Sequence, residues 1–223
     1  MKRVLLLALA AALLAGCGDN SSEETTTGAD TTSVSVYFLR DGKVWPVRRE
    51  VDETDFLNAA DQALLDGPTQ SEQDIGLTTE VPREGAGDLS DAARAQIVYT
   101  ATQFSNSDSA EIAGIRYTRA DFEEQTPSVL VESPLPFDEV ESPLRVNGTA
   151  NTFEANFQYE LVDADGTIFG EYFATATSGT GTRGTFFFTT SSFDEISALV
   201  VFESSAEDGS RMNEVEIPLT VAP

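Results

Sequence analysis

From Phe153 to Leu161 every second residue is apolar. Phe153, Ala155, Phe157, Tyr159 and Leu161 alternate with Glu154, Asn156, Gln158 and Glu160. Strand side chains point to opposite faces in turn, so this period of two calls for a strand over 151–162 with one face in a core and one in water. A helix would scatter the same apolar groups around its whole circumference. Asp165-Gly166 then marks a turn into a further strand over 167–177, and a Gly-, Ser- and Thr-rich loop at 178–184 leads to another at 185–190. Ile196, Ala198, Val200 and Phe202 alternate again, and Asp208-Gly209 turns the chain towards Val215, Ile217, Leu219 and Val221. Short alternating strands divided by turn signals at near-even spacing predict an all-β sandwich over 128–223.

Upstream the period changes. Val34, Val36 and Phe38 start a strand, Asp41-Gly42 supplies a hairpin turn, and 43–51 returns. Phe56, Ala59, Ala60, Ala63 and Leu64 then recur at helical steps, with Thr54 or Asp55 as cap and Gly67-Pro68 as stop. A second helix is expected over 90–104, capped by Asp88 or Ser90, with Ala93, Ile97, Ala101 and Phe104 on one side; 112–117 reads as a last strand. The region 34–118 is thus expected as an α+β domain. An acidic stretch at 119–127, ending in Pro127, suits a linker to the sandwich.

The amino terminus carries a different signal. Lys2 and Arg3 precede an apolar run from Val4 to Leu14, followed by Ala15, Gly16 and the chain's one cysteine, Cys17. About 20 apolar residues are needed to span a bilayer, and polar residues begin at Asp19, so the run reads as a secretory leader. Leu14-Ala15-Gly16-Cys17 resembles the bacterial lipobox. That resemblance implies a signal peptide over 1–16, lipidation of Cys17, and anchoring on the extracytoplasmic face of the bacterial cell membrane, since two or more acyl chains hold a protein stably. Residues 17–33, small, polar and acidic, are expected as a flexible tether.

Charge and composition remove several classes of function. The chain has 13 basic and 38 acidic residues, a net charge of −25; without Lys2 and Arg3 it falls to −27. Such a surface repels nucleic acid, and no nucleic-acid partner is expected. With no histidine, Ser-His-Asp and Cys-His catalysis and His-ligated zinc are excluded. No cofactor, metal or catalytic residue is expected. With Cys17 taken by lipid there is no disulfide, so packing alone holds the fold.

Two stretches resemble known families. The segments 36–51 (VYFLRDGKVWPVRREV), 63–82 and 88–104 are similar to the GerMN domain of sporulation and spore germination; the strongest block is Leu64-Leu65-Asp66-Gly67-Pro68-Thr69, with Glu72 and Gly76-Leu77-Thr78-Thr79 after it. The family has a strand where this chain has only residues 83–87, too few for a strand and its connections, so an abbreviated domain with a smaller sheet is expected. Ser133-Pro134, Val140-Glu141-Ser142-Pro143-Leu144, Asn147-Gly148, Phe153-Glu154-Ala155, Asp165-Gly166 and Val201-Phe202-Glu203-Ser204-Ser205 with Asp208-Gly209 resemble the Gmad family, an immunoglobulin-like domain of spore-germination proteins, which implies an immunoglobulin-like fold for 128–223.

Candidate binding residues are few. Trp45, beside Pro46, faces a partner or anchors a core. Arg48-Arg49, the one basic pair beyond the leader, either grips an anionic wall polymer or a partner's carboxylates, or guards a strand edge. Asp163-Ala164-Asp165-Gly166 starts like a calcium loop but has Ala174 where that loop needs glutamate, so it reads as a turn. Asp121, Glu123 and Glu124 read as solvated charge, not as paired acids for hydrolysis. The resemblances imply a non-enzymatic, lipid-anchored envelope protein that binds envelope proteins or peptidoglycan, with self-association open to it. The alternatives are a carboxylate-dependent surface hydrolase or carbohydrate-binding protein, and a calcium-stabilised adhesin.

Overall fold

The computed structural model describes residues 31–83, 88–104 and 108–221, so the leader, Cys17 and the tether up to residue 30 lie outside the described residues. The first unit is a long hairpin. Strand β1 (Thr31–Arg40) pairs antiparallel with β2 (Lys43–Asp52) in an unbroken register from Thr31↔Asp52 to Arg40↔Lys43. The strand begins at Thr31, inside the stretch expected as tether. Asp41 (φ 52°) and Gly42 (φ 74°) make the turn; two successive positive φ angles match the right-handed twist of the flanking strands.

Both faces of this hairpin are covered. After a short 3-10 turn (Glu53–Asp55) comes α1 (Phe56–Asp66), then α2 (Gln70–Asp74) and α3 (Asp91–Ala101). The side chain that caps the entry is Asp52, accepting from the Thr54 amide at 2.8 Å, rather than Thr54 or Asp55. Val34, Val36, Phe38 and Val47 pack with Ala60 and Leu64 of α1 and with Leu77. Tyr37, Leu39 and Val44 pack with Val98 and Tyr99 of α3, and with Phe122 and Leu130 further along the chain.

Among the described residues the outer edge of β1 meets no strand beyond a single bridge at Thr78, and polar side chains of α3 and of the turn after it cover the rest. The Ser35 amide donates to Gln103 Oε1 (2.6 Å), and Gln103 Nε2 returns a bond to the Ser35 carbonyl (2.5 Å). The Tyr37 amide donates to Thr100 Oγ1 (3.1 Å), and Gln96 Nε2 donates to the Tyr37 carbonyl (3.1 Å). Leu39 then exchanges two backbone bonds with Thr78. Gln96 and Thr100 share one face of α3 and Gln103 lies in the turn just after it, and a buried backbone edge must find partners somewhere. The expected apolar side of α3 does pack on the core, with Ala93 buried and Ile97 and Phe104 against the same cluster; the helix has a second buried side, of Gln96, Val98, Tyr99 and Thr100, that was not expected. The expected strand at 112–117 is also different. It is a small hairpin of β3 (Ala110–Ile112) and β4 (Ile115–Tyr117), turning at Ala113 (φ 52°) and Gly114 (φ 81°).

The connection at 119–127 does join the two halves, but as packed structure. Arg119–Gln125 forms a 3-10 helix whose start is fixed by Asp121, which accepts from the Thr118 amide at 2.7 Å; Phe122 and Thr126 are buried.

The second unit is a sandwich. Its strands are β5 (Val129–Ser133), β6 (Glu139–Val140), β7 (Arg145–Ala150), β8 (Asn156–Val162), β9 (Ile168–Thr175), β10 (Gly184–Thr189), β11 (Ala198–Ser204), β12 (Arg211–Pro218) and β13 (Thr220–Val221). One sheet has the order β10-β7-β5, the other β12-β11-β8-β9, and β6 pairs in parallel with β13. Val129, Val131, Val146 and Phe186 of the first sheet and Phe157, Tyr159, Leu161, Leu199, Val201 and Ile217 of the second form the buried layer. Rings lock it: Phe157 and Phe186 lie 4.8 Å apart between centroids, and Tyr159 stacks on Phe188 at 4.3 Å. Gly148 sits where a Cβ would come within 2.0 Å of the Leu130 carbonyl oxygen, so only glycine lets β5 and β7 meet there.

Two expectations for the leading strand need correction. The alternation holds from Phe157 to Leu161, but Phe153–Ala155 is a 3-10 turn with Glu154 and Ala155 at positive φ, and Phe153 is 64% exposed. The face expected in water is also partly closed, with Gln158 at 9% and Glu160 at 2% exposure. Arg211 closes it by pairing with Glu160 and lying 4.2 Å over the Phe202 ring. The Asp163 carboxylate accepts from the Asp165 (2.9 Å) and Thr167 (2.8 Å) amides, the work of a turn residue.

Candidate functional site

The three residues singled out by sequence lie on β2, where the hairpin meets the sandwich. Trp45, opposite Phe38 in the hairpin register, is 5% exposed. With Pro127, Val129, Val215 and Ile217 it walls a gap of only about 10 Å³, so the ring fills the space between the units. Arg40 lies 4.8 Å over the ring and donates to the Glu216 carbonyl of β12. A cleft of about 210 Å³ opens beside it, lined by Arg40, Asp41, Lys43, Asn213 and Glu214.

Neither arginine of the pair is free. Arg48 makes a two-pronged bond to Asp138, Nε to Oδ1 and Nη2 to Oδ2, both at 2.7 Å, and so ties β2 to the loop after β5. Arg49 grips Glu72 the same way, at 2.6 and 2.7 Å, and lies over the Phe38 ring. Glu72 also accepts from the Thr69 amide (2.7 Å), which fixes the start of α2. Trp45, Arg48 and Arg49 therefore serve contacts within the chain, two of them across the junction.

Residues outside the sequence's binding candidates complete the junction. Arg119 donates to Thr102 Oγ1 (2.8 Å), to the Tyr99 carbonyl (3.2 Å) and to Glu132 Oε1 on β5 (2.6 Å), and stands over both the Tyr37 and Tyr99 rings. The Tyr37 hydroxyl donates to the same Glu132 oxygen at 2.7 Å. Burial, and then the Glu132 charge, hold the Tyr37 phenol well above its ordinary pKa, so it stays a donor. Glu123, in the connecting helix, receives two bonds from Arg183 (2.8 and 2.9 Å) and one from Asn151 (2.8 Å). One signal was available: the described chain has few cations against its many acids, and six of its arginines form ion pairs. Where cations are scarce, each is worth tracing to a partner.

The connecting helix is thus bonded on both sides, and Phe122 and Leu130 share a buried cluster with Tyr37 and Tyr99. Asp121 and Glu123, weighed as acids for hydrolysis, are held by a helix start and an ion pair. Among the described residues no group of three or more acidic or cysteine side chains is placed to hold a metal ion.

The second unit is a two-sheet sandwich with a buried aromatic layer, and a sequence comparison finds a family similarity over most of it. Residues 128–210 match Gmad2, the immunoglobulin-like domain of bacterial spore germination. The match starts directly after Pro127 and takes in β5 to β11. No curated protein and no solved structure matches the chain. The germination-type domain therefore contributes Glu132, Asp138 and Arg183 to the junction, while the hairpin contributes Tyr37, Trp45 and Arg48.

Electrostatics at the hairpin give a pH dependence. Burial raises the Glu72 carboxyl, but the bonds from Arg49 and the Thr69 amide outweigh it and hold its pKa below the usual 4.5. A depressed folded pKa stabilises the protein above the unfolded value and loses that contribution as pH falls through the folded one. Glu72→Gln is expected to cost about 2 kcal/mol at pH 7. The gap to the wild type should narrow between pH 4.5 and lower pH in urea titrations. A gap that stays constant with pH would show that the carboxylate's charge contributes nothing.

Proposed function

We propose that this is a non-enzymatic, lipid-anchored cell-envelope protein, in which a GerMN-like first module and the germination-type immunoglobulin-like module act as one rigid binding body. Its targets would be envelope proteins or peptidoglycan, in a germination, sporulation or envelope-assembly setting. The observation that carries the reading is the family match over 128–210. The GerMN resemblance rests on Leu64 to Thr69 and Glu72, and the structure gives these residues structural duties: Gly67 (φ 83°) ends α1 and Glu72 holds Arg49. Anchoring rests on the lipobox resemblance at Cys17, whose attached chains would restrict the body to the membrane surface.

A single substitution separates anchoring from folding. Cys17→Ser is expected to move the protein from the detergent phase to the aqueous phase on cloud-point partition, with its melting temperature unchanged. Crosslinking and pull-down from intact membranes should recover envelope partners with the native chain and lose them with Cys17→Ser. Partition of both forms into the aqueous phase, or equal recovery of partners, would refute the anchored reading.

A further inference from the structure

Two sheet edges, those of β1 and β12, are covered within the chain, and that of β9 is open over most of its length. β1 is capped by side chains of α3 and of the turn after it, and on β12 the outward carbonyls of Glu216 and Pro218 accept from Arg40 (3.3 Å) and the Phe137 amide (2.7 Å). β9 ends the sheet order β12-β11-β8-β9, and among the described residues no strand pairs with its outer edge from Ile168 to Thr175; just beyond, the Thr177 amide donates to the Thr185 carbonyl of β10 (2.8 Å), which bounds the open stretch, and the Phe169 carbonyl accepts from the hydroxyl of Tyr172 (3.4 Å). Edge strands are normally guarded by lysine, proline or a bulge. β9 has neither lysine nor proline, and its register shift lies before Glu171, which leaves 171–175 regular. This edge is also apolar: Phe173 is 73% exposed, and Ile168 and Phe169 are about half so.

We propose that β9 is a docking edge for an extended cationic segment of a partner protein, which would add to the sheet as a further strand. Charge selects the occupant. From Ala150 to Thr182 the chain has Glu154, Glu160, Asp163, Asp165 and Glu171 and no lysine or arginine. Directly across the register from Phe173 and Glu171 lie Gln158 and Glu160, both more than nine-tenths buried, and Gln158 Oε1 and Glu160 Oε2 have no donor within the chain. Acceptors in want of donors, beside an exposed ring and an acidic rim, favour lysine or arginine stems lying over Phe173. A second copy of this chain is disfavoured, because β9 against β9 would bring two Glu171 side chains together between bodies of net charge −25. Backbone bonds along the edge would supply affinity, and the alternate side chains selectivity.

The inference deepens the binding-body reading by naming the class of partner, and its test needs no membrane. The detergent-solubilised full chain is titrated with a synthetic peptide alternating lysine and valine, and with a twin alternating glutamate and valine. The lysine peptide is expected to bind at least about tenfold more tightly, with a salt-dependent affinity and new hydrogen-exchange protection confined to β9. Phe173→Ser should weaken it about tenfold with the melting temperature unchanged. Equal binding of the two peptides, protection that spares β9, or a concentration-dependent dimer protecting β9 without peptide would each overturn the proposal. Any of these results would leave the Cys17 partition test untouched, so the two readings fail separately.

Discussion

Arg119→Ala is expected to destabilise the protein by about 4 kcal/mol, because it strips partners from a charge held inside the junction. The guanidinium serves Thr102, the Tyr99 carbonyl and Glu132, and covers two tyrosine rings. Burial lowers the Arg119 pKa, but Tyr37, Glu132 and Tyr99 raise it by more, so the group folds as a cation. Without it, Glu132 keeps only the Tyr37 hydroxyl among these partners. Arg119→Lys preserves the charge but not the planar fork and should recover less than half of the loss. Urea unfolding followed at Trp45 and by far-ultraviolet circular dichroism checks this. The wild type should give coincident transitions, since its core runs through the junction. A loss below 1 kcal/mol would mean that the ion pair is incidental to docking.

The next largest effect falls on the edge of β1. Gln96→Leu keeps the volume at a fully buried site but removes the donor to the Tyr37 carbonyl and the acceptor for the Glu80 amide (2.9 Å). Two backbone groups left without partners should cost about 3 kcal/mol. Hydrogen exchange gives a second readout: the Glu80 amide should lose protection before the amides of β2 do. Unchanged exchange at residue 80 would show that the glutamine is there to fill space.

That glutamine also marks where sequence reasoning stops. The hairpin was legible because Asp41-Gly42 states its own turn, and the sandwich because its strands alternate between turns. The apolar side of α3 was legible too, since Ala93, Ile97 and Phe104 do meet the core, but its second, polar inner side was not, because apolar periodicity carries no sign of it. On that side α3 and the turn after it face a bare strand edge, and the residues that matter at 96, 100 and 103 are polar. The alternation at Phe153 and Ala155 misled for another reason: an apolar pattern carries no information on φ, and the chain turns at Glu154 and Ala155. Trp45, Arg48 and Arg49 were rightly noticed as unusual, but sequence does not distinguish a partner in another molecule from one later in the same chain. Asp138 lies 90 residues beyond Arg48 and Glu72 lies 23 beyond Arg49. The germination-type domain was the most legible part, as its hallmark residues are turns and strands that depend on near neighbours.

The continuous register of the opening hairpin has a mechanical consequence. Tension entering at Thr31 and directed along β1 would load the rungs from Thr31↔Asp52 to Arg40↔Lys43 in parallel, with the α3 side chains sharing the strain on the far side. Shearing many bonds at once takes more force than unzipping them singly. A body tugged through its first strand would therefore keep its shape while other, peelable connections gave way.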